Sequence, residues 1–245
     1  MLRVRMGGGD SVQRNNSPIN WGGGSSSGSN DNNDPLTPYV RQHLLRVYSL
    51  LGVGIVTAGF GSYSIMALGL YKVIPFWLPL VAGFVPLLWL MLAPPRNPQL
   101  KTALFLTFTL LEGMGIAPIV LATMAKGVLG TAIVLTGAVF FGFSAAAFFA
   151  PRASLLVYQG PLFGLLMGMV AISLLNLFYP TAFAHSIILY GGLAIFSAFV
   201  AVDTQAMIER ARCGVGDHVQ DALQMFLNVV NIFIRIAEIL RGMAE

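Results

Sequence analysis

Charge is what this 245-residue chain has least of: Asp, Glu, Lys and Arg make up 10% of it, against 56% hydrophobic residues. A soluble domain carries roughly 25% charged residues, so too few polar side chains remain to clothe a water-facing surface, and a soluble globular fold is excluded. Cysteine is nearly absent too. The single Cys213 cannot close an intrachain disulfide, and no Cys/His spacing suggests a zinc site. The net charge of +4 is dispersed, with no Lys/Arg cluster interleaved with aromatics to neutralise a row of phosphates, so nucleic acid is not an expected partner. An early apolar run, which a cleavable signal peptide needs within about the first 30 residues, is missing. The first such run begins near Leu44, and that span is expected to serve as the insertion signal. A G-x-S-x-G match at Gly24–Gly28 falls in low-complexity sequence without the strand and helix such a motif requires, so neither an enzyme nor a cofactor is expected.

What the chain does have is long apolar runs. Residues 1–38 are rich in Gly, Ser and Asn and bury too little apolar area to offset the entropy of ordering, which predicts a disordered tail ahead of a membrane domain over 39–245. A bilayer core of about 30 Å calls for roughly 20 apolar residues per helix. Such runs occur at about Leu44–Met66, Val73–Ala93, Thr102–Met124, Val128–Ala150, Ser154–Leu177, Ser186–Ile208 and Ala222–Arg241. The expected fold is therefore all-α: an integral membrane bundle of seven transmembrane helices, the seventh being either a full span or re-entrant. Pro94-Pro95 and Pro98, Pro151 and Pro180 punctuate the runs, because proline cannot continue a helix.

Short loops on the cytoplasmic side are enriched in Lys and Arg. An inward N-terminus places Arg41, Arg46, Arg96, Lys101, Arg152, Arg210 and Arg212 inside and only Lys72, Lys126 and Arg241 outside, which favours that orientation. Gly160, Gly164 and Gly168 form a ridge of small residues four apart on the fifth run, the pattern that lets helices approach closely in lipid; packing within the bundle is the preferred reading, a dimer interface the other.

Ionisable groups at mid-bilayer cost several kcal/mol, so those that occur mark ion paths or proton relays. Glu112, Asp203 and a stripe on the last run qualify. The stripe reads Asp221, Gln224, Asn228, Asn231, Arg235 and Glu238, spacings that keep one helix face. A surface-lying amphipathic helix has a Lys/Arg-rich polar face, which this one lacks, so an interior helix is favoured. Asp203 and Asn228 should both lie roughly 8–9 Å below the inner boundary and can meet, while Glu112 sits roughly 15 Å in. The candidate ion pathway or gate is thus Asp203, Asn228, Glu112, Asn231 and Arg235, with Arg235 and Glu238 close enough in sequence to neutralise one another.

The segments QHLLRVY (Gln42–Tyr48), WLMLAPP (Trp89–Pro95), EGMGIAP (Glu112–Pro118), DTQAMIERA (Asp203–Ala211) and DHVQDALQMFLNVVNIF (Asp217–Phe233) resemble the Bax inhibitor-1 family, its eukaryotic branch in particular. The similarity runs from about Leu36 to Leu240. It implies a seven-helix bundle with the last helix at its centre, and a protein of the endoplasmic reticulum membrane that leaks Ca²⁺ in a pH-dependent way and restrains cell death; the alternative reading is a non-conducting membrane protein that suppresses cell death by binding other cell-death regulatory membrane proteins. The family's proposed sensor is a pair of aspartates sharing a proton. Asp203 matches the first; the position of the second is Asn228, which cannot titrate. The arginine that latches the pair in some bacterial relatives has its nearest counterpart in Arg96.

Overall fold

The computed structural model of the protein describes residues 37–93 and 97–243. The tail expected over residues 1–38, but for its last two residues, and Arg96 lie outside the described residues. Those described form helices joined by turns, with no strand among them. The chain is all-α, and its helices are those of a multi-pass membrane protein.

Helix α1 (Pro38–Ala67) begins six residues before its apolar run, because Pro38 preorganises the first turn and the Thr37 hydroxyl accepts from the Val40 amide. Helix α2 (Trp77–Leu92) has 16 residues, roughly 24 Å, short of a full hydrocarbon crossing. The third run, expected as one helix, is two: α3 (Pro98–Gly115) and α4 (Ala117–Ala125), bent by 47°. Pro118 is the reason, since it has no N–H to continue the ladder. Helices α5 (Leu129–Phe149) and α6 (Gln159–Phe178) follow. Next come α7 (Ala182–Ser186), a wider π-type turn at Ile187–Gly191, and α8 (Gly192–Arg212), which together make a single 31-residue span. Helix α9 (His218–Met243) closes the chain. Five helices are long and apolar enough to cross a bilayer, six if the bent pair counts as one. Helices occupy all seven expected runs, and five or six of them meet the length of a full crossing, with α2 the short member.

Helix α9 packs against α1, α3, α4, α5 and α8, which makes it the centre of the bundle and rules out a helix lying on the membrane surface. Phe226 anchors it, with its ring edge-on to Phe105 and Phe108 of α3 at 6.0 Å from each. Helices α1 and α3 meet through glycine. A Cβ on Gly61 would strike the Leu110 carbonyl and one on Gly113 the Ala58 carbonyl, while the Ser62 hydroxyl donates to the Gly113 carbonyl at 2.7 Å. The ridge of Gly160, Gly164 and Gly168 on α6 behaves oppositely: added Cβ atoms there would meet nothing within 4 Å. Packing inside the bundle, the reading favoured from sequence, is not what these glycines do; α6 lies at the periphery, against α8 and its flanking turns.

Candidate functional site

Antiparallel helices α8 and α9 face one another through residues repeated at seven. On α8 these are Asp203 and Arg210, on α9 Asp221 and Asn228. Seven residues is close to two turns, so each pair shares a face. The facing produces two rungs roughly 10 Å apart along the helix axis. In the deeper rung the Asn228 side-chain amide donates from Nδ2 to Asp203 Oδ2 at 2.8 Å, and Asn228 is 5% exposed. In the shallower rung Arg210 donates to Asp221 Oδ1 from Nη2 at 2.6 Å and from Nε at 3.1 Å, and to Gln224 Oε1 at 3.1 Å.

A third helix joins the shallower rung. His43 of α1 donates from Nε2 to Asp221 Oδ2 at 2.8 Å, with the aspartate 2% and the histidine 7% exposed. Both carboxylate oxygens of Asp221 are therefore engaged, and three helices are tied at one buried point. Nearby, Lys101 Nζ of α3 donates to Asp217 Oδ2 at 2.5 Å, while Asp217 Oδ1 accepts from the Val219 amide at 3.0 Å and caps α9. Burial raises the Asp217 carboxyl, but the Lys101 ammonium and the cap hold it below the ordinary carboxylate range. Arg152 and Arg212 both pair with Glu209, at 3.1 Å and 2.8 Å. Gln205 bridges the α5–α6 loop: its Nε2 donates to the Pro151 carbonyl at 2.9 Å, and its Oε1 accepts from the Leu155 amide at 2.8 Å.

Of the residues singled out from sequence, the structure brings Asp203 and Asn228 together. Asn231 instead donates to its own Leu227 carbonyl at 2.9 Å. Glu112, on α3, is joined to neither Asp203 nor Asn228 by a hydrogen bond among the described residues. Arg235 and Glu238 are not within ion-pair distance among the described residues; Arg235 lies against Gly192, its buried Nε without a partner. Sequence reasoning missed His43, which lies 178 residues from Asp221; no local pattern links them. From sequence Arg210 counts only as a loop charge, although its seven-residue spacing from Asp203 could have signalled it. A lateral cavity of about 600 Å³ between α1, α4, α5 and α9 is walled by apolar residues such as Leu51, Ile133, Phe226 and Phe233, and none of the four rung residues lines it. No cluster of three or more metal-ligating side chains occurs among the described residues.

The fold and site define a polytopic helical membrane protein whose central helix is pinned by one ionic and one carboxylate–amide rung. Residues 40–245 match the family model described as "Inhibitor of apoptosis-promoting Bax1", and the chain belongs to that family. It is 33% identical over 204 residues to the Bax inhibitor 1 of Arabidopsis thaliana, covering 82% of this chain and 81% of the relative. It is 29% identical over 209 residues to that of Homo sapiens, covering 84% and 87%. The Bax inhibitor 1 of Oryza sativa subsp. japonica is 31% identical over 212 residues, covering 84% and 82%.

Proposed function

We propose that this protein is a passive cation leak path, chiefly for Ca²⁺, in the endoplasmic reticulum membrane with its N-terminus in the cytoplasm, and that by lowering luminal Ca²⁺ it restrains programmed cell death. The observation that carries the reading is the Asp203–Asn228 rung: a carboxylate of α8 held within the span against the central helix by a single neutral donor. Such a group costs several kcal/mol in a bilayer, and a hard cation prefers oxygen ligands of this kind. Rotation or sliding of α9 against α8 exchanges one hydrogen bond for ion coordination, a smaller change than breaking an ionic rung. The family membership and the names of its relatives support the cell-death role.

Because Asn228 does not titrate, no proton is shared between two acids here. Two neighbouring carboxylates split their titration and raise one pKa; a carboxylate facing an amide does not. Flux should accordingly respond to pH near neutrality more weakly than in a two-aspartate relative. The test is Ca²⁺ efflux from liposomes holding the purified full chain across pH 5–8. Asp203→Asn is expected to suppress the flux and its remaining pH dependence, and Asn228→Asp to move the pH response towards neutrality. Unchanged flux in both variants would refute the gate.

A second reading is a non-conducting protein that suppresses cell death by binding partner membrane proteins. The open glycine ridge of α6 favours it, since that face meets nothing within 4 Å. Absence of efflux from wild-type liposomes, together with retained cell protection, would select this reading.

A further inference from the structure

At the end of the bundle where α1, α3 and α9 begin, the described acids are all engaged: Glu209 by Arg152 and Arg212, Asp217 by Lys101, and Asp221 by His43 and Arg210. Arg46 has no such partner among the described residues. It lines an open cleft of about 500 Å³ between α1, α3 and the first turn of α9. Gln42, Arg46, Ser49 and Val53 of α1 fall on one helical stripe, and His218 faces them from α9. The wall changes character along that stripe. Its mouth offers the guanidinium, the imidazole, an amide and a hydroxyl, and contains no acid. Deeper, Leu50 and Val53 take over, roughly 10 Å into the span from Arg46 to Val53. Leu45 and Val53 are 59% and 51% exposed on this span, so the cleft opens sideways into the bilayer.

We propose that this cleft binds one anionic phospholipid, its phosphate on Arg46 and His218, with Gln42 and Ser49 donating to the remaining headgroup oxygens and an acyl chain lying along Leu50 and Val53. A guanidinium presents a donor fork matched to phosphate oxygens, and basic recesses between transmembrane helices at the headgroup level suit anionic lipids. Uncompensated positive charge at the mouth selects an anion, and the apolar floor selects one carrying a hydrocarbon chain. A free phosphate would satisfy the mouth and leave the floor bare. The site is separate from the α8–α9 rungs and stands whether or not the protein conducts.

The experiment uses the purified full chain in a neutral detergent, titrated with dioleoyl phosphatidic acid, dioleoyl phosphatidylcholine and inorganic phosphate, with bound lipid counted by native mass spectrometry. Phosphatidic acid should bind at one-lipid stoichiometry. Arg46→Gln should weaken it about tenfold, the loss of one charge-assisted contact. Val53→Asn, which keeps every charge, should weaken it also. Arg41→Gln, which removes a charge from the same rim outside the cleft, should leave it unchanged. Equal losses in Arg41→Gln and Arg46→Gln would overturn the proposal in favour of diffuse charge attraction. Equally tight binding of phosphatidylcholine, or full displacement of the lipid by equimolar inorganic phosphate, would overturn it too. Both substituted side chains of the cleft lie at the helix surface, and a melting curve for each variant separates weakened binding from unfolding.

Discussion

The two rungs between α8 and α9 use the same geometry and opposite chemistry. In the shallower one, Asp221 of α9 receives an arginine from α8 and a histidine from α1; in the deeper one, Asp203 of α8 receives a single neutral amide. The first carboxylate has been removed from water only because a guanidinium from α8 and an imidazole from α1 replace its hydration, and loss of the arginine would leave a buried charge without a counter-ion. The second sits deeper with less help. A bundle built this way is clamped at the end where α9 begins and weakly latched towards its middle, so movement of α9 is cheapest around the Asp203–Asn228 contact.

The largest effect that breaks this contrast is expected from Asp221→Asn. Arg210 loses its counter-ion and His43 its acceptor, and removal of one member of a buried pair costs about 3–5 kcal/mol. The melting temperature of the purified protein should fall markedly, and His43→Ala should reproduce only part of the loss because Arg210 keeps the acid. Next comes Asn228→Leu, which deletes the donor to Asp203 while preserving volume and leaves a half-buried carboxylate without its partner, for about 1–3 kcal/mol. If the deeper rung proved as costly to break as the shallower, the weak-latch reading would be wrong.

Acid provides a smaller test at the base of the clamp. The Asp217 carboxyl is held below its unfolded value of roughly 3.9. A depressed carboxylate gives stability that is complete above the unfolded pKa and is lost as pH falls through the folded one. Stability should therefore decline with acid below about pH 4, and Lys101→Met, which removes the main depressing partner, should flatten that decline. The smallest effect is expected from Arg152→Ala: its partner Glu209 keeps Arg212, and the arginine side chain is largely exposed, so the melting temperature should barely move. Gly164→Ala on α6 should be equally quiet for folding, since an added Cβ meets nothing within 4 Å, whereas Gly113→Ala should disrupt the α1–α3 packing.

Legibility followed the range of the interaction. The seven-residue spacing of Asp203 with Arg210 and of Asp221 with Asn228 lies within single helices, and a one-dimensional pattern carries it. The encounter of Asp203 with Asn228 was accessible too, because a short turn between antiparallel helices fixes which depths meet. Two features of EGMGIAP split along the same line. Pro118 marks a break in the ladder, though the apolar run conceals it, and Gly113 discloses nothing of the Ala58 backbone it admits.

By itself, then, the sequence determined an all-α membrane chain, the approximate places of its helices, and the polar face of α9, because hydropathy and periodicity are local properties of the chain. Only the tertiary structure decided that His43 completes the shallower rung, and that Gly61 of α1 and Gly113 of α3 meet protein while Gly160, Gly164 and Gly168 of α6 do not. A small-residue ridge is compatible with either lipid or a helix against it, and a buried charge accepts any partner that replaces its water. Which neighbour arrives depends on how distant segments pack, information that no window along the chain contains.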